Sequence, residues 1–188
     1  MCAMCLSLGH SVHHVKTPVG MANTQLTHVA VPGVRIHSTR MSFVGKTFTL
    51  SEAQTLLPLV ESLLLKTQAA GRKAAELEAQ MQQLSQRIFL SGGLHVDVAS
   101  AARRRAEREK ALKEVQDTLA EIDEIGVQVK DLDQGLLDFP CLLDGETVLL
   151  CWKQGEKEIG YWHTMDGGYA GRKPLDARFG RNEKERLN

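Results

Sequence analysis

The chain has little of what would point straight to a function. Aromatic residues occupy 5% of its 188 positions, with two tryptophans and two tyrosines among them, so no stacking platform for nucleic-acid bases runs through it. Charge is balanced: 23 basic residues meet 23 acidic ones, which gives no field for a polyanion or an anionic membrane. No stretch approaches the ~18 consecutive apolar residues of a membrane span, and the apolar start MCAMCLSL lacks the basic flank and full length of a secretory leader. The expectation is a cytoplasmic protein with no nucleic-acid and no membrane partner. Four cysteines, Cys2, Cys5, Cys141 and Cys151, are too scattered for a disulfide framework, and reduced thiols follow.

Acidic residues are missing from residues 1–51, which hold four cations (Lys16, Arg35, Arg40 and Lys46); the remainder carries 19 basic against 23 acidic residues and is mildly acidic. Residues 1–47 also lack any period of 2 or 3.6 and hold five of the seven histidines, so they read as a disordered arm or as sequence upstream of a start at Met41. Cys2 and Cys5 with His10, His13 and His14 imitate a zinc set, but the gap of four residues is too short for a finger, and Val15 stands where a knuckle needs its fourth ligand. Gly45-Lys46-Thr47 imitates the end of a phosphate-binding loop, with Arg40 where the motif requires glycine and no strand ahead of it.

Order begins at Thr49-Leu50-Ser51-Glu52, a capping box preceded by Phe48 at the staple position. Pro58 predicts a kink or restart in the helix that follows. From there Leu63, Thr67, Ala70, Ala74, Leu77, Met81, Leu84 and Ile88 alternate in steps of three and four, a heptad seam that Ser91-Gly92-Gly93 ends. A second seam runs through Val98, Ala101, Leu112, Val115, Leu119 and Ile122, with Arg105 and Arg108 at its intervening positions. The short glycine connection makes the two an antiparallel hairpin. So narrow a seam, with extra leucines at Leu56, Leu57, Leu59 and Leu65, predicts a coiled-coil homodimer, a four-helix bundle. Arg103-Arg104-Arg105, Arg108 and Lys110 are interspersed with Glu107 and Glu109 and read as a solvated face.

From Gly126 the pattern changes to short alternating runs punctuated by Asp144-Gly145 and Gly155-Glu156, and six of the nine aromatics lie between Phe139 and Phe179. The fold class that follows is α+β, a long antiparallel helical hairpin and then a small three- to four-stranded antiparallel meander. Its parts are an arm (1–47), the hairpin (48–126), a β-unit with a glycine-rich closing loop (127–176) and a charged tail (177–188).

The segment opening FTLSEAQTLLPLV, together with Asp138-Phe139-Pro140, Leu150-Cys151-Trp152, Trp162-His163 and Gly168-Tyr169-Ala170-Gly171-Arg172-Lys173-Pro174-Leu175, resembles a bacterial family known as domain of unknown function 2203, over roughly residues 47–176. The resemblance implies the architecture and carries no activity.

Chemistry is sought in the β-unit. A type I′ turn at Asp144-Gly145 pairs Asp138 with Cys151 and Phe139 with Leu150, and a two-residue turn at Gly155-Glu156 pairs Val148 with His163 and Leu150 with Tyr161. In that register Asp138 and His163 point to opposite faces, and Cys141 shares a face with His163 from two strands away, so neither pair makes a dyad. The glycines of Gly167–Lys173 permit a tight closing loop, and their amides with Arg172 form a candidate nest for a small anion. The ligand-binding set is then Arg172 as charge clamp, Gly168 and Gly171 as backbone donors, Tyr169 and Trp162 as walls, and His163 and Asp138 as polar contacts. No catalytic residue, metal ligand or cofactor is assigned. The leading expectation is a non-enzymatic interaction or regulatory module. The alternative is a hydrolase or transferase with His163 as general acid or base, oriented by Glu158 or Asp166.

Overall fold

The computed structural model describes residues 46–93 and 95–180, and the backbone of a two-residue ladder in which β1 (Ala30–Val31) lies antiparallel to β2 (Val34–Arg35). The Cys2, Cys5, His10, His13 and His14 cluster, Gly45 and residues 181–188 lie outside the described residues. Two helices follow, α1 (Leu50–Leu90) and α2 (Val98–Ile125), and then five strands: β3 (Gln128–Asp131), β4 (Leu136–Leu143), β5 (Glu146–Lys153), β6 (Tyr161–Thr164) and β7 (Lys173–Pro174). The strands form one antiparallel sheet in sequence order, a meander with one strand more than the sequence count. Among the described residues no helix is long and apolar enough to cross a membrane.

The capping box forms as its residues dictate. Glu52 N–H donates to Thr49 Oγ1 at 3.1 Å, and Thr49 N–H donates to Glu52 Oε2 at 2.7 Å. Phe48, just ahead of it, is buried edge-on against Phe139 of β4 with ring centroids 5.9 Å apart, so the helix start is pinned directly to the sheet. Of the kink or restart expected at Pro58, the restart does not occur: α1 runs through it, and flanking residues Leu57 and Val60 are both buried. Packing on that turn outweighs the one backbone hydrogen bond that proline removes.

Between the helices the α1 seam is as expected near the base, with Leu63, Thr67, Ala70, Ala74 and Leu77 buried, and becomes half-buried at Met81, Leu84 and Ile88. On α2 the seam is rotated from the expected one. Ala111, Val115, Thr118 and Ile122 are buried, while Leu112 and Leu119 are half-buried. The physical reason is a polar pair. Thr67 Oγ1 lies 2.8 Å from Thr118 Oγ1, and each hydroxyl also reaches a carbonyl of its own helix, Leu63 O at 2.8 Å and Glu114 O at 2.7 Å. Thr118 spends its proton on Glu114, and Thr67 divides its proton between Leu63 and Thr118, so no buried oxygen is left unpaired. Ala111 and Thr118 are smaller than the leucines beside them and let the helices approach closely. Arg108 forms an ion pair across the hairpin with Glu78 at 2.6 Å, and Arg105 pairs with Glu109 at 3.1 Å on the exposed face.

The sheet packs one face on the base of the hairpin. Leu137, Phe139, Cys141, Val148, Leu150, Trp152 and Trp162 meet Leu57, Val60, Leu64 and Ile122 there. Phe179, from a helical turn at 177–180, closes this core beside Trp162 at 5.7 Å. Pro140 sits in β4 past the end of β3, whose last partner is Asp138. Its carbonyl accepts from Phe48 N–H at 2.7 Å, so its missing donor faces the side with no strand to serve. At the opposite end Gln68 of α1 ties two turns together by donating to Leu132 O at 2.7 Å and to Gln154 Oε1 at 2.9 Å.

Gly135 lies against that tie, at φ +65°, where an added Cβ would stand 2.5 Å from both Cβ and Oε1 of Gln154. Gly92, at the hairpin tip, has a similar φ of +64° and open space. Gly135→Ala is expected to lower stability by about 2–4 kcal/mol, combining strain with overpacking, and Gly92→Ala by about 1 kcal/mol from strain alone. Urea unfolding of the two variants checks the difference; equal losses would mean that the Gln68–Gln154 tie yields freely.

Candidate functional site

The face of the sheet turned away from the helices carries a polar cluster. Asp138 of β4 stands directly opposite Cys151 of β5, and His163 of β6 stands opposite Leu149, two residues along β5 on the same face. All three side chains belong to residues no more than 2% exposed. His163 Nε2 lies 3.4 Å from Oδ1 and 3.3 Å from Oδ2 of Asp138, and Nδ1 lies 2.8 Å from the Thr164 carbonyl. A carbonyl only accepts, so Nδ1 carries a hydrogen. In the neutral ring Nε2 therefore turns a lone pair toward a carboxylate, an arrangement that needs a proton or another cation between them. Lys130 Nζ, from edge strand β3, approaches Asp138 Oδ2 at 3.8 Å.

Electrostatics follow from this packing. Burial works against a charge on His163, but its bonds to Asp138 and to the Thr164 carbonyl, with the carboxylate's charge, outweigh burial and the opposing Lys130, and raise it above the ordinary 6.5. Burial, then the charge and hydrogen bond of Asp138, push the Cys151 thiol up to about 12. It is a thiol at neutral pH and a poor nucleophile.

This cluster overturns the expected separation of Asp138 from His163. The β4–β5 register is as the Asp144-Gly145 turn requires, both residues having positive φ, but β6 is displaced by one residue: Val148 pairs with Thr164 and Leu150 with Trp162. Gly155-Glu156 does not form a two-residue hairpin. Gly155, at φ +95°, closes a turn in which Glu156 N–H donates to Lys153 O at 2.9 Å and Lys153 N–H donates to Glu156 Oε2 at 2.8 Å. The chain then leaves the sheet, buries Ile159 in the core with its N–H on Gln54 Oε1 of α1 at 2.9 Å, and rejoins at Tyr161. A one-residue slip exchanges faces. His163 joins Asp138, Trp162 goes to the helix side, and Cys141 lies on the face opposite His163. Glu158 and Asp166 are exposed, and the carboxylate beside His163 is that of Asp138.

The glycine-rich loop closes as expected at Gly168, whose φ is +53°, with a short helical turn over Tyr169–Gly171. Arg172 follows, its side chain 10% exposed. One guanidinium nitrogen bonds both carboxylate oxygens of Glu156 at 2.8 and 2.9 Å and the Cys151 carbonyl at 3.2 Å, and the group stacks 4.2 Å from the Tyr161 ring and 5.0 Å from that of Tyr169. Glu156 also holds the β5 turn, so a single carboxylate links loop, turn and strand.

The seven expected ligand residues thus fall in three places. Gly168, Tyr169, Gly171 and Arg172 share the loop; Asp138 and His163 share the sealed cluster; Trp162 is in the core, its Nε1 donating to Pro174 O at 3.2 Å. Cys151, Glu156 and Lys130 were not anticipated as partners. The pairing of Asp138 with Cys151 was already implied by the Asp144-Gly145 turn and was the available signal for the first of these. The hollow at the start of α1, bordered by Lys46, Phe48, Ser51, Glu52 and Thr55, is lined by none of these side chains.

A helical hairpin whose base closes one face of a five-stranded meander defines the class, an α+β domain. Within it, the family model described as "Uncharacterized conserved protein (DUF2203)" matches residues 46–175, and the chain belongs to that family. No curated protein and no solved structure matches the chain.

Two outcomes follow from the site. Arg172→Ala is expected to destabilise the protein by about 2 kcal/mol, comparable to the 1–3 kcal/mol or so of Gly168→Val, because truncation removes the charged partner of Glu156, leaving it the Lys153 amide, and takes the side-chain donor from the Cys151 carbonyl. Thermal melts with and without phosphate check it: a neutral Arg172→Ala together with a phosphate-induced rise in the wild-type Tm would show that the arginine serves an anion instead. For His163, a raised folded-state pKa contributes stability that is fully present below about pH 6.5 and is lost as pH rises through the folded value. The stability difference between wild type and His163→Asn, with trace metals chelated, should shrink as the pH is raised from 6 to about 9; a difference independent of pH would mean that the imidazole is neutral throughout.

Proposed function

We propose that the protein is a non-enzymatic interaction module that works through its helical prong, with a second copy of the chain as the partner. The observation that carries this is the apolar surface left at the prong's tip, where Phe89 is 83% exposed, Leu90 73% and Val98 75%. Leu59 and Leu65, at the base of α1, are exposed as well, roughly 24–31 residues away, or about 36–46 Å at 1.5 Å per residue. A two-fold interface must match each patch with its mate on the other copy. Antiparallel pairing of two prongs does so, setting the tip of one on the base of the other. Phe89→Asp with Val98→Asp changes only exposed positions and is expected to leave helicity intact while abolishing the dimer in sedimentation at micromolar concentration. A wild-type monomer under those conditions would sink the reading.

The closing loop contributes less to this reading than the prong. Arg172 already carries the Glu156 carboxylate, and its Nε, though without a hydrogen-bond partner, is buried, so an anion would have to displace neighbouring groups to reach it.

A second reading, a hydrolase or transferase using His163, gains from the Asp138 contact at 3.3 Å, although the other ring nitrogen is held by the Thr164 carbonyl. Burial of the whole cluster weighs against it, since a reacting atom needs room beside the base.

A further inference from the structure

We propose that Asp138, Cys151 and His163 form a site for one divalent zinc-type metal ion, held across three adjacent strands in the buried cluster on the face of the sheet turned away from the helices. The carboxylate, the sulfur and the imidazole nitrogen all lie within 4.8 Å of one another, one from each of β4, β5 and β6. The site lies outside the prong and is independent of how the prong is used.

Four features of the cluster point to a metal. His163 is already set as metal-ligating histidines are set, with Nδ1–H fixed on the Thr164 carbonyl at 2.8 Å and the Nε2 lone pair turned inward. Its 3.3 and 3.4 Å distances to the Asp138 oxygens are long for a charge-assisted hydrogen bond, which runs about 2.7–2.9 Å. They match the edge of a tetrahedron around zinc, which is about 3.3 Å for nitrogen and oxygen ligands at about 2.0–2.1 Å. The sulfur edges, about 3.5–3.6 Å with a 2.3 Å zinc–sulfur bond, are reached by side-chain rotation that closes at most about 1.3 Å. Charge closes as well: a carboxylate and a thiolate neutralise a divalent ion, so a buried site holds no net charge, whereas the same carboxylate without metal depends on partly exposed Lys130 and on a proton taken up by His163. Thiolate with imidazole selects zinc or cobalt over magnesium or calcium. On binding, the metal–sulfur bond forms as the Cys151 proton leaves to solvent, and no redox change is involved. The ion would fix the β5–β6 register, because a slip of one residue carries His163 to the other face.

The arm contains its own cysteine pair, so the test uses the full chain carrying Cys2→Ser and Cys5→Ser, stripped with chelator and titrated with Co²⁺. The expected result is saturation at one equivalent with thiolate-to-cobalt absorption, a higher Tm for the loaded protein, and Zn²⁺ displacing the cobalt signal. Cys151→Ser and His163→Gln, near-isosteric changes checked by circular dichroism, should each weaken binding at least roughly a hundredfold, with the charge-transfer band gone in the first. The absence of thiolate-to-cobalt absorption in the folded parent overturns the proposal whatever the variants do. So does a band that survives Cys151→Ser, since Cys141 would then be the ligand.

Discussion

The polar cluster on the far face of the sheet is completed only by where β6 enters it. The side-chain period of a strand is two, so the choice between pairing Val148 with His163 or with Thr164 is a choice between two different surfaces. The entry point is set outside the sheet. Ile159 is drawn into the core and its amide is held by Gln54 of α1, so the connection after β5 cannot close as a tight hairpin. One helix side chain and one buried isoleucine thereby place Trp162 among the core aromatics and His163 beside Asp138.

The two polar assemblies of the β-unit share strand β5 and divide its groups between them. The Cys151 side chain belongs to the sealed cluster, and its carbonyl to the Arg172 tie. Arg172 is held by charge, by a backbone acceptor and by two tyrosine rings at once, which makes it a member of the fold in spite of its place on a loop. In the cluster, by contrast, a carboxylate and an imidazole face each other at a distance too long for a strong hydrogen bond. That contrast is why the first reads as architecture and the second as a site.

The prong shows a gradient of the same kind. At its base, small residues and the Thr67–Thr118 pair bring the helices close against the sheet; toward the tip the seam loosens and apolar side chains turn outward. The helices persist while phenylalanine, leucine and valine are exposed, and this is the surface that the proposed pairing of two copies would cover.

Local rules were sufficient for much of this. Thr49 and Glu52 cap α1 because their side chains reach amides three residues away, Asp144-Gly145 makes a type I′ turn because both positions take positive φ, and the steps of three and four from Leu63 to Leu77 define the base of the hairpin. Each depends on residues close in sequence, and so did the pairing of Asp138 with Cys151. The α2 seam was misplaced because leucines outrank alanine and threonine in hydrophobicity, while packing rewarded the small residues that let Thr67 reach Thr118 across 51 positions. The β6 register was misplaced because it rests on a contact between Gln54 and Ile159, 105 positions apart, which no turn propensity records. Sequence alone determined the two helices, their caps and the β4–β5 hairpin; only tertiary contacts between distant residues decided where the later strands enter and which faces meet, and with them the company that His163 keeps.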